Sequence, residues 1–416
     1  MRFGIRTLDN FDVSEKTVLC RIDINQPVDR STGTLKDTTR IKACIPTIKE
    51  LRDKRAKLVL LAHQGSDIEY KNYYTTLPHA KVLSELLGTE VQFIDDVCGP
   101  AARKAIENLK GGEILLLDNV RFLAEEQTLF ELNLKLSHEQ QAATLLVRTL
   151  APLADAYVCD AFAAAHRDQP SLCGFQQVLP SAMGRLFEEE YCVISELMEN
   201  PNRPCVFVLG GAKINDAFQM MNTVLANAVA DRIITGGLVA EVLAWARGDN
   251  IGQTTMDYIT RQGYDKLVPV AKDLLRQYSS KIELPVDYAY IENDSRKERP
   301  SGAIPDDAMI LDIGAETCNR YVDIILNAKT VFVNGPMGVF EEEKTEYGTS
   351  RIWAALGDTP AYTVIGGGDS ITATTKYGMT GRINYICTGG GALIRFLSGE
   401  ELPVVKALRY GAGHSR

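Results

Sequence analysis

Short, continuous apolar runs rich in Val, Ile and Leu recur along the chain, separated by longer stretches of helical period. In the first half they cover 17–24, 57–62, 90–93, Ile114–Leu117 and Ala156–Cys159, with a helix-like segment at 41–54 after the first run. In the second half they cover Cys205–Leu209, Arg232–Thr235, 331–333, 362–365 and 384–387. Strands that stay apolar without alternating are buried on both faces, so strands of this kind between helices predict parallel sheets covered on each side. The pattern occurs twice. The expected fold is α/β, with two doubly wound, Rossmann-like parallel-sheet domains facing a cleft. Between the halves, Arg185–Glu199 spaces Leu186, Tyr191, Ile194 and Leu197 helically among carboxylates and runs into Asn200-Pro201. It reads as a hinge helix or as one more covering helix. The expected layout is a first domain over 1–180, a connecting helix within 181–200 and a second domain over 201–395.

Composition narrows the function classes. A chain of 416 residues exceeds one ordinary core and suits two domains. The formal charge of −9 argues against a generic nucleic-acid or acidic-membrane binder, whose footprint is a basic excess. No run approaches membrane-span length, and the start at Met1-Arg2-Phe3-Gly4 lacks the apolar region of a signal peptide. Nine scattered cysteines form no C-x-x-C pair, so neither a disulfide framework nor a zinc site is indicated, and a reducing cytoplasm is expected. The sequon Asn293-Asp294-Ser295 then reads as a chance match.

In open α/β sheets ligands sit beyond the carboxyl ends of the strands. In the first half those ends carry Asp23 and Asn25, then His63, Arg121, and His166-Arg167. At strand period Arg21, Asp23 and Asn25 share one face, and His63, before Gln64-Gly65, reads as part of an exposed turn. His79, His138 and His414 lie in polar contexts and receive no role. Arg40, taken alone, does not differ from a surface arginine. In the second half the ends carry Gly210-Gly211-Ala212-Lys213, Gly236-Gly237, Asn334-Gly335-Pro336, Gly366 to Ser370, and Thr388-Gly389-Gly390-Gly391. The run Gly366-Gly367-Gly368-Asp369-Ser370 reads as strand, glycine turn and helix start, where converging N–H groups make a phosphate cradle. Asp369 would repel a bare phosphate but suits a divalent metal attached to one. The alternative is a structural turn with an Asp or Ser cap. None of the glycine runs matches G-x-x-x-x-G-K-[ST] or G-x-G-x-x-G, which argues against a Walker-type NTPase and a nicotinamide dehydrogenase.

Taken in order, Arg21-Ile22-Asp23-Ile24-Asn25-Gln26-Pro27, Arg40-Ile41, His63-Gln64-Gly65, Asp118-Asn119-Val120-Arg121-Phe122 and Asp160-Ala161-Phe162 leading to His166-Arg167 resemble the phosphoglycerate kinase family. The resemblance continues through Gly210-Gly211-Ala212-Lys213, Asn334-Gly335-Pro336-Met337-Gly338-Val339-Phe340-Glu341, Gly366 to Ser370 and Thr388-Gly389-Gly390-Gly391-Ala392. Ala163-Ala164-Ala165-His166-Arg167 is similar to the archaeal branch. The resemblance implies reversible phosphoryl transfer between ATP and the carboxylate of 3-phosphoglycerate, giving 1,3-bisphosphoglycerate and ADP. It assigns Asp23, Asn25, His63, Arg121 and Arg167 to the phosphoglycerate, and Arg40 and Lys213 to the transferring phosphoryl. Gly236 and Gly237 would border the adenine, Glu341 would hold the ribose, and Asn334, Gly367, Gly368 and Ser370 would surround the nucleotide phosphates. Asp369 would carry Mg²⁺. The resemblance also implies that residues 396–416 return to the first domain. A monomer is expected, with a dimer as the alternative, and no nucleic-acid or membrane partner. Ser66, Ala217, Cys159 and Ser370 depart from the family's usual Arg, Lys, Asn and Thr. A kinase for another small phosphorylated acid and a non-catalytic nucleotide-binding homologue are the alternatives.

Overall fold

The computed structural model describes residues 1–29, 31–65 and 74–413. Ser66 and most of the segment 70–76, for which the sequence suggests no role, lie outside them, as does His414. Among the described residues there are fifteen strands: β1 Thr17–Arg21, β2 Lys57–Leu61, β3 Val91–Ile94, β4 Ile114–Leu117, β5 Ala156–Cys159, β6 Ser181–Met183, β7 Cys205–Leu209, β8 Arg232–Thr235, β9 Ile282–Glu283, β10 Asp287–Glu292, β11 Ser295–Pro300, β12 Asp312–Ile313, β13 Thr330–Asn334, β14 Tyr362–Gly366 and β15 Tyr385–Ile386.

Twelve of them form two six-stranded parallel sheets, ordered β3-β4-β2-β1-β5-β6 and β15-β14-β13-β7-β8-β9. The absence of alternation in the apolar runs has the expected cause. Val18, Cys20, Leu58, Leu60, Ile114 and Leu116 point into one core, while Leu19, Val59, Leu61 and Leu115, on the opposite face, are equally buried. In the second sheet Val206, Val208, Val331 and Val333 pack with Trp353 and Tyr321, and Phe207 meets Phe332 with ring centroids 5.1 Å apart.

β1 ends earlier than the run 17–24. Ile22 still donates to the Leu61 carbonyl at 3.0 Å, but Asp23 turns away toward Arg40, so Asp23 and Asn25 belong to the loop beyond the strand. A small antiparallel sheet, β11-β10-β12, was not legible from the apolar runs. Its hairpin turns at Asn293 and Asp294, whose φ angles of 49° and 60° give the type I′ geometry that matches strand twist. The sequon residue Asn293 is thus a hairpin corner.

The chain divides into two compact units, Met1–Val193 with Glu401–Arg416, and Ile194–Glu400. The first crossing falls inside the helix Arg185–Glu199. The return comes at Glu401, later than residue 396, because Phe396 completes the helix Gly391–Leu397 and Thr223 Oγ1 ties the Ser398 carbonyl to the second unit at 2.9 Å. The last helix, Pro403–Gly413, lies on the first unit, where Arg409 Nη2 donates to Tyr191 Oη at 3.0 Å. Among the described residues no helix is long and apolar enough to cross a membrane.

Candidate active site

The first unit gathers its basic residues at the carboxyl ends of β1, β2 and β4. Arg21, the last residue of β1, is wholly buried. Its Nε donates to Ser171 Oγ at 3.0 Å, Nη1 to the Ile22 carbonyl at 2.5 Å and Nη2 to His63 Nδ1 at 2.9 Å. A guanidinium can only donate, so Nδ1 accepts and the His63 proton resides on Nε2. Burial, reinforced by the positive charges of Arg21, Arg121, Arg167 and Arg40, holds His63 well below the usual imidazole range, and the ring is neutral. Ser171 Oγ in turn donates to Glu126 Oε2 at 2.7 Å, and burial pushes the Glu126 carboxyl up to about 7.

The expectation of an exposed turn at His63 is corrected here: only 5% of the residue is exposed. The turn is roofed by side chains from distant loops. Gln64 Nε2 donates to the Gln26 carbonyl at 2.7 Å, Gln64 Oε1 accepts the Gln26 amide at 2.9 Å, and Asn119 Nδ2 donates to the Gln64 carbonyl at 2.8 Å. His79, given no role from sequence, is also buried and joins Nε2 to Gln64 Oε1 at 2.9 Å. Burial brings its imidazole down to about 4. Around this turn the other expected residues assemble. Asn25 Oδ1 accepts the Gly65 amide at 3.0 Å, and Arg121 Nη1 donates to the Gly65 carbonyl. Arg40, in the first turn of the helix Thr39–Asp53, pairs with the buried Asp23. Arg167 Nη1 donates to Thr128 Oγ1 at 2.9 Å. Arg21, Gln64, Asn119 and Glu126 were not singled out as site residues from sequence. The signal for Arg21 was a charged residue inside an apolar strand; the other three acquire their role only through contacts distant in sequence.

The second unit presents backbone rather than side chains. Gly335 has φ +97°, and a Cβ there would strike the Gly210 carbonyl, so the turns after β7 and β13 touch only because both lack side chains. Gly367 has φ +88° and starts the helix Gly368–Lys376; a Cβ on it would come 2.9 Å from Asn334 Oδ1. The first-turn amides at 368, 369 and 370 have no acceptor within the helix. Ser370 is fully buried and its Oγ accepts the Gly335 amide at 2.7 Å, so its hydroxyl braces the two turns. Asp369 is exposed and its carboxylate makes no hydrogen bond or ion pair among the described residues. Lys213 is exposed immediately before the helix Ile214–Ala226. A cleft of about 370 Å³ is lined by Gly237, Glu341 and Asp369. Lys213, Gly236, Asn334, Gly367, Gly368 and Ser370 are neighbours of its walls in chain or fold and are not part of the lining. A larger groove of about 680 Å³, lined by Arg203, Asp231 and Asn327, opens at the amino-terminal ends of β7 and β8, away from the ligand edge.

A fixed group of cations on one unit and glycine turns with open amides on the other suit the chemistry of a phosphotransferase. The family model for phosphoglycerate kinase matches residues 8–400. Proteins named phosphoglycerate kinase from Methanobacterium bryantii and Methanothermus fervidus are 44% identical over 408 residues and 45% identical over 406, covering 98% of this chain and 98% and 97% of their own lengths. The crystal structure of phosphoglycerate kinase from Pyrococcus horikoshii OT3 superposes with a TM-score of 0.86 at 39% identity, covering 98% of this chain and 99% of that one. The structure of phosphoglycerate kinase from Coxiella burnetii gives 0.83 at 28% identity, covering 97% and 98%. The chain belongs to the phosphoglycerate kinase family, a family of glycolytic phosphotransferases with a carboxyl group as acceptor.

Proposed function

We propose that the chain transfers a phosphoryl group reversibly between ATP and the carboxylate of 3-phosphoglycerate, as a cytoplasmic monomer. The observation that carries this reading is the preorganised cluster of Arg21, His63, Arg121, Asp23 and Arg40 in one unit, in a chain whose other unit holds the Gly366 to Ser370 cradle. Arg121, Arg167 and the Nε2–H of His63 hold the phosphate and carboxyl of the phosphoglycerate, with Asn25 and Asp23 on its remaining polar groups. A carboxylate with a pKa of about 4 is already ionised at neutral pH, so no general base is required. In-line positioning and charge neutralisation are required, and Arg40 and Lys213 supply them to the transferring phosphoryl.

On the nucleotide side the amides at 367 to 370 take the phosphates, Asn334 stands beside them, Glu341 takes the ribose and Gly236-Gly237 border the base. Asp369 fits a metal ligand, since its exposed carboxylate is not engaged by the described residues and Mg²⁺ favours one or two carboxylates with phosphate oxygens. Bound Mg²⁺ would supply charge neutralisation on the nucleotide phosphates. Ala217 lies buried in the helix Ile214–Ala226 and adds no cation to Lys213. A coupled assay with MgATP and a panel of phosphorylated acids tests the proposal. The expected result is turnover highest with 3-phosphoglycerate; higher turnover with another acid, or nucleotide binding without turnover, overturns it.

A further inference from the structure

One group in the nucleotide cleft has no part in the chemistry above. Glu241 stands in the helix Gly237–Arg247 within the apolar stretch Leu238-Val239-Ala240-Glu241-Val242-Leu243, and only 4% of it is exposed. It lines the cleft beside Gly237, Tyr258 and Ile310, yet its Oε2 has no hydrogen-bond partner among the described residues. A buried carboxyl without a partner is costly, and a protein interior rarely keeps one. Oε2 is closed off from solvent, so Oε1 is the oxygen that can face the cleft. Burial pushes the carboxyl up to about 8, so at neutral pH it carries one O–H donor and one carbonyl acceptor. Tyr288 of the antiparallel sheet, whose hydroxyl is itself buried, feels the Glu241 charge.

Strand order fixes where along the cleft this group stands. The second sheet runs β14-β13-β7-β8, and the cleft takes Asp369 after β14, Glu341 after β13, Gly211 after β7 and Glu241 after β8. Asp369 and Glu241 therefore follow the two outer strands of this series. With the phosphates on the glycine cradle, the other end of the nucleotide, its base, reaches the wall formed by Glu241, Tyr258 and Ile310.

We propose that Glu241 reads the nucleotide base, its Oε1 accepting a hydrogen bond from the 6-amino group of adenine. The inference rests on the assignment of this cleft to a nucleotide. It makes Glu241 a specificity residue, remote from the reacting phosphoryl. Glutamine, whose amide oxygen also accepts, preserves the contact, whereas leucine fills the volume and removes it.

The test is calorimetric binding of ADP and of purine riboside diphosphate, which lacks the 6-amino group, to the full chain without phosphoglycerate. The wild type is expected to prefer ADP by about tenfold, the scale of a buried hydrogen bond left unmade. Glu241→Leu is expected to bind the two within twofold of each other, with a raised KM for ATP and a kcat within twofold of wild type. Glu241→Gln, nearly isosteric, is expected to keep the preference and carries the test if the leucine variant does not fold. Equal binding of both diphosphates by the wild type, or a preference that survives in Glu241→Leu, overturns the role of Glu241 while leaving the kinase reading intact. Failure of the wild type to bind either diphosphate overturns the cleft assignment and the inference with it.

Discussion

On the proposed function, the ligand ends of the two sheets hold anions by opposite means. In the first unit the work falls to side chains fixed by other side chains: Arg21 and Arg121 are 0% and 1% exposed, and His63 is oriented by Arg21 rather than by solvent. In the second unit it falls to the backbone, with Gly335 letting two turns touch and Gly367 opening the helix whose first amides have no acceptor within it, while Lys213 and Asp369 stand exposed. A small acid with few atoms needs cations fixed in a low-dielectric wall, where each interaction is strong. A nucleotide is longer and can be held by many weaker amide contacts along a groove. The difference teaches where mutations should hurt both folding and function, and where function alone.

The sharpest contrast concerns the two residues assigned to the transferring phosphoryl. Arg40→Ala and Lys213→Ala are each expected to lower kcat by about 10³-fold, as loss of a preorganised charge does. Only Arg40→Ala should also destabilise the fold, by about 1–3 kcal/mol, because it leaves the buried Asp23 without its ion-pair partner. Coupled rates together with thermal melts check both statements. Wild-type turnover in either variant breaks the assignment of roles, and an equal loss of stability in both breaks the contrast between the two units.

A smaller effect comes from exchanging the damage between units. Arg21→Gln strips the orientation from His63 and leaves Ser171 and the Ile22 carbonyl short of a donor; about 3 kcal/mol of stability and about tenfold in 3-phosphoglycerate affinity should go. ADP affinity should not move. Gly367→Ala should do the reverse, weakening ADP and costing about 1–3 kcal/mol of backbone strain at φ +88°. Gly368→Ala separates the two causes: its Cβ would enter open space, so stability should hold while ADP binding falls. Isothermal titration with each ligand decides; if both affinities drop in any one of these variants, the two ligand ends are not independent.

The parts of this molecule that the sequence announces are those decided locally. Non-alternating apolar runs marked most strands to within a few residues, and glycines after strands marked the tight turns of the second unit, because both follow from neighbours in the chain. His63 and His79 were legible as residues but not as buried ones, since their cover comes from Gln26, Gln64 and Asn119, which meet only in the fold. Ser370 stood in the right turn, yet its hydroxyl faces Gly335 rather than the open side. The antiparallel sheet escaped because β11, Ser295-Arg296-Lys297-Glu298-Arg299-Pro300, is polar and mostly exposed. Its one local mark, Asn293-Asp294, was set aside as a chance sequon and not recognised as a turn.

The smallest expected effect follows from the buried acids and separates the units by pH. In the second unit Glu241 and Asp312 are pushed up to about 8 and about 6, both chiefly by burial. Such a group keeps its proton when folded and loses it when unfolded at any pH between its ordinary value and its raised one, so it destabilises the fold across that window. Lowering the pH from about 7.5 to about 5.5 therefore stabilises this unit, by about 1–2 kcal/mol. In the first unit Glu126 and Asp160, both raised to about 7, act in the same direction. His63 and His79 oppose them, because imidazoles depressed in the fold let the unfolded chain bind more protons below about 6.5. The first unit should consequently respond weakly over the same range. Both tryptophans, Trp245 and Trp353, belong to the second unit, so their fluorescence in urea reports its unfolding alone. The midpoint should rise on acidification, and Glu241→Gln should remove most of the rise. A midpoint that falls instead, or a rise undiminished in Glu241→Gln, would mean that the Glu241 carboxyl is already ionised in the fold at neutral pH.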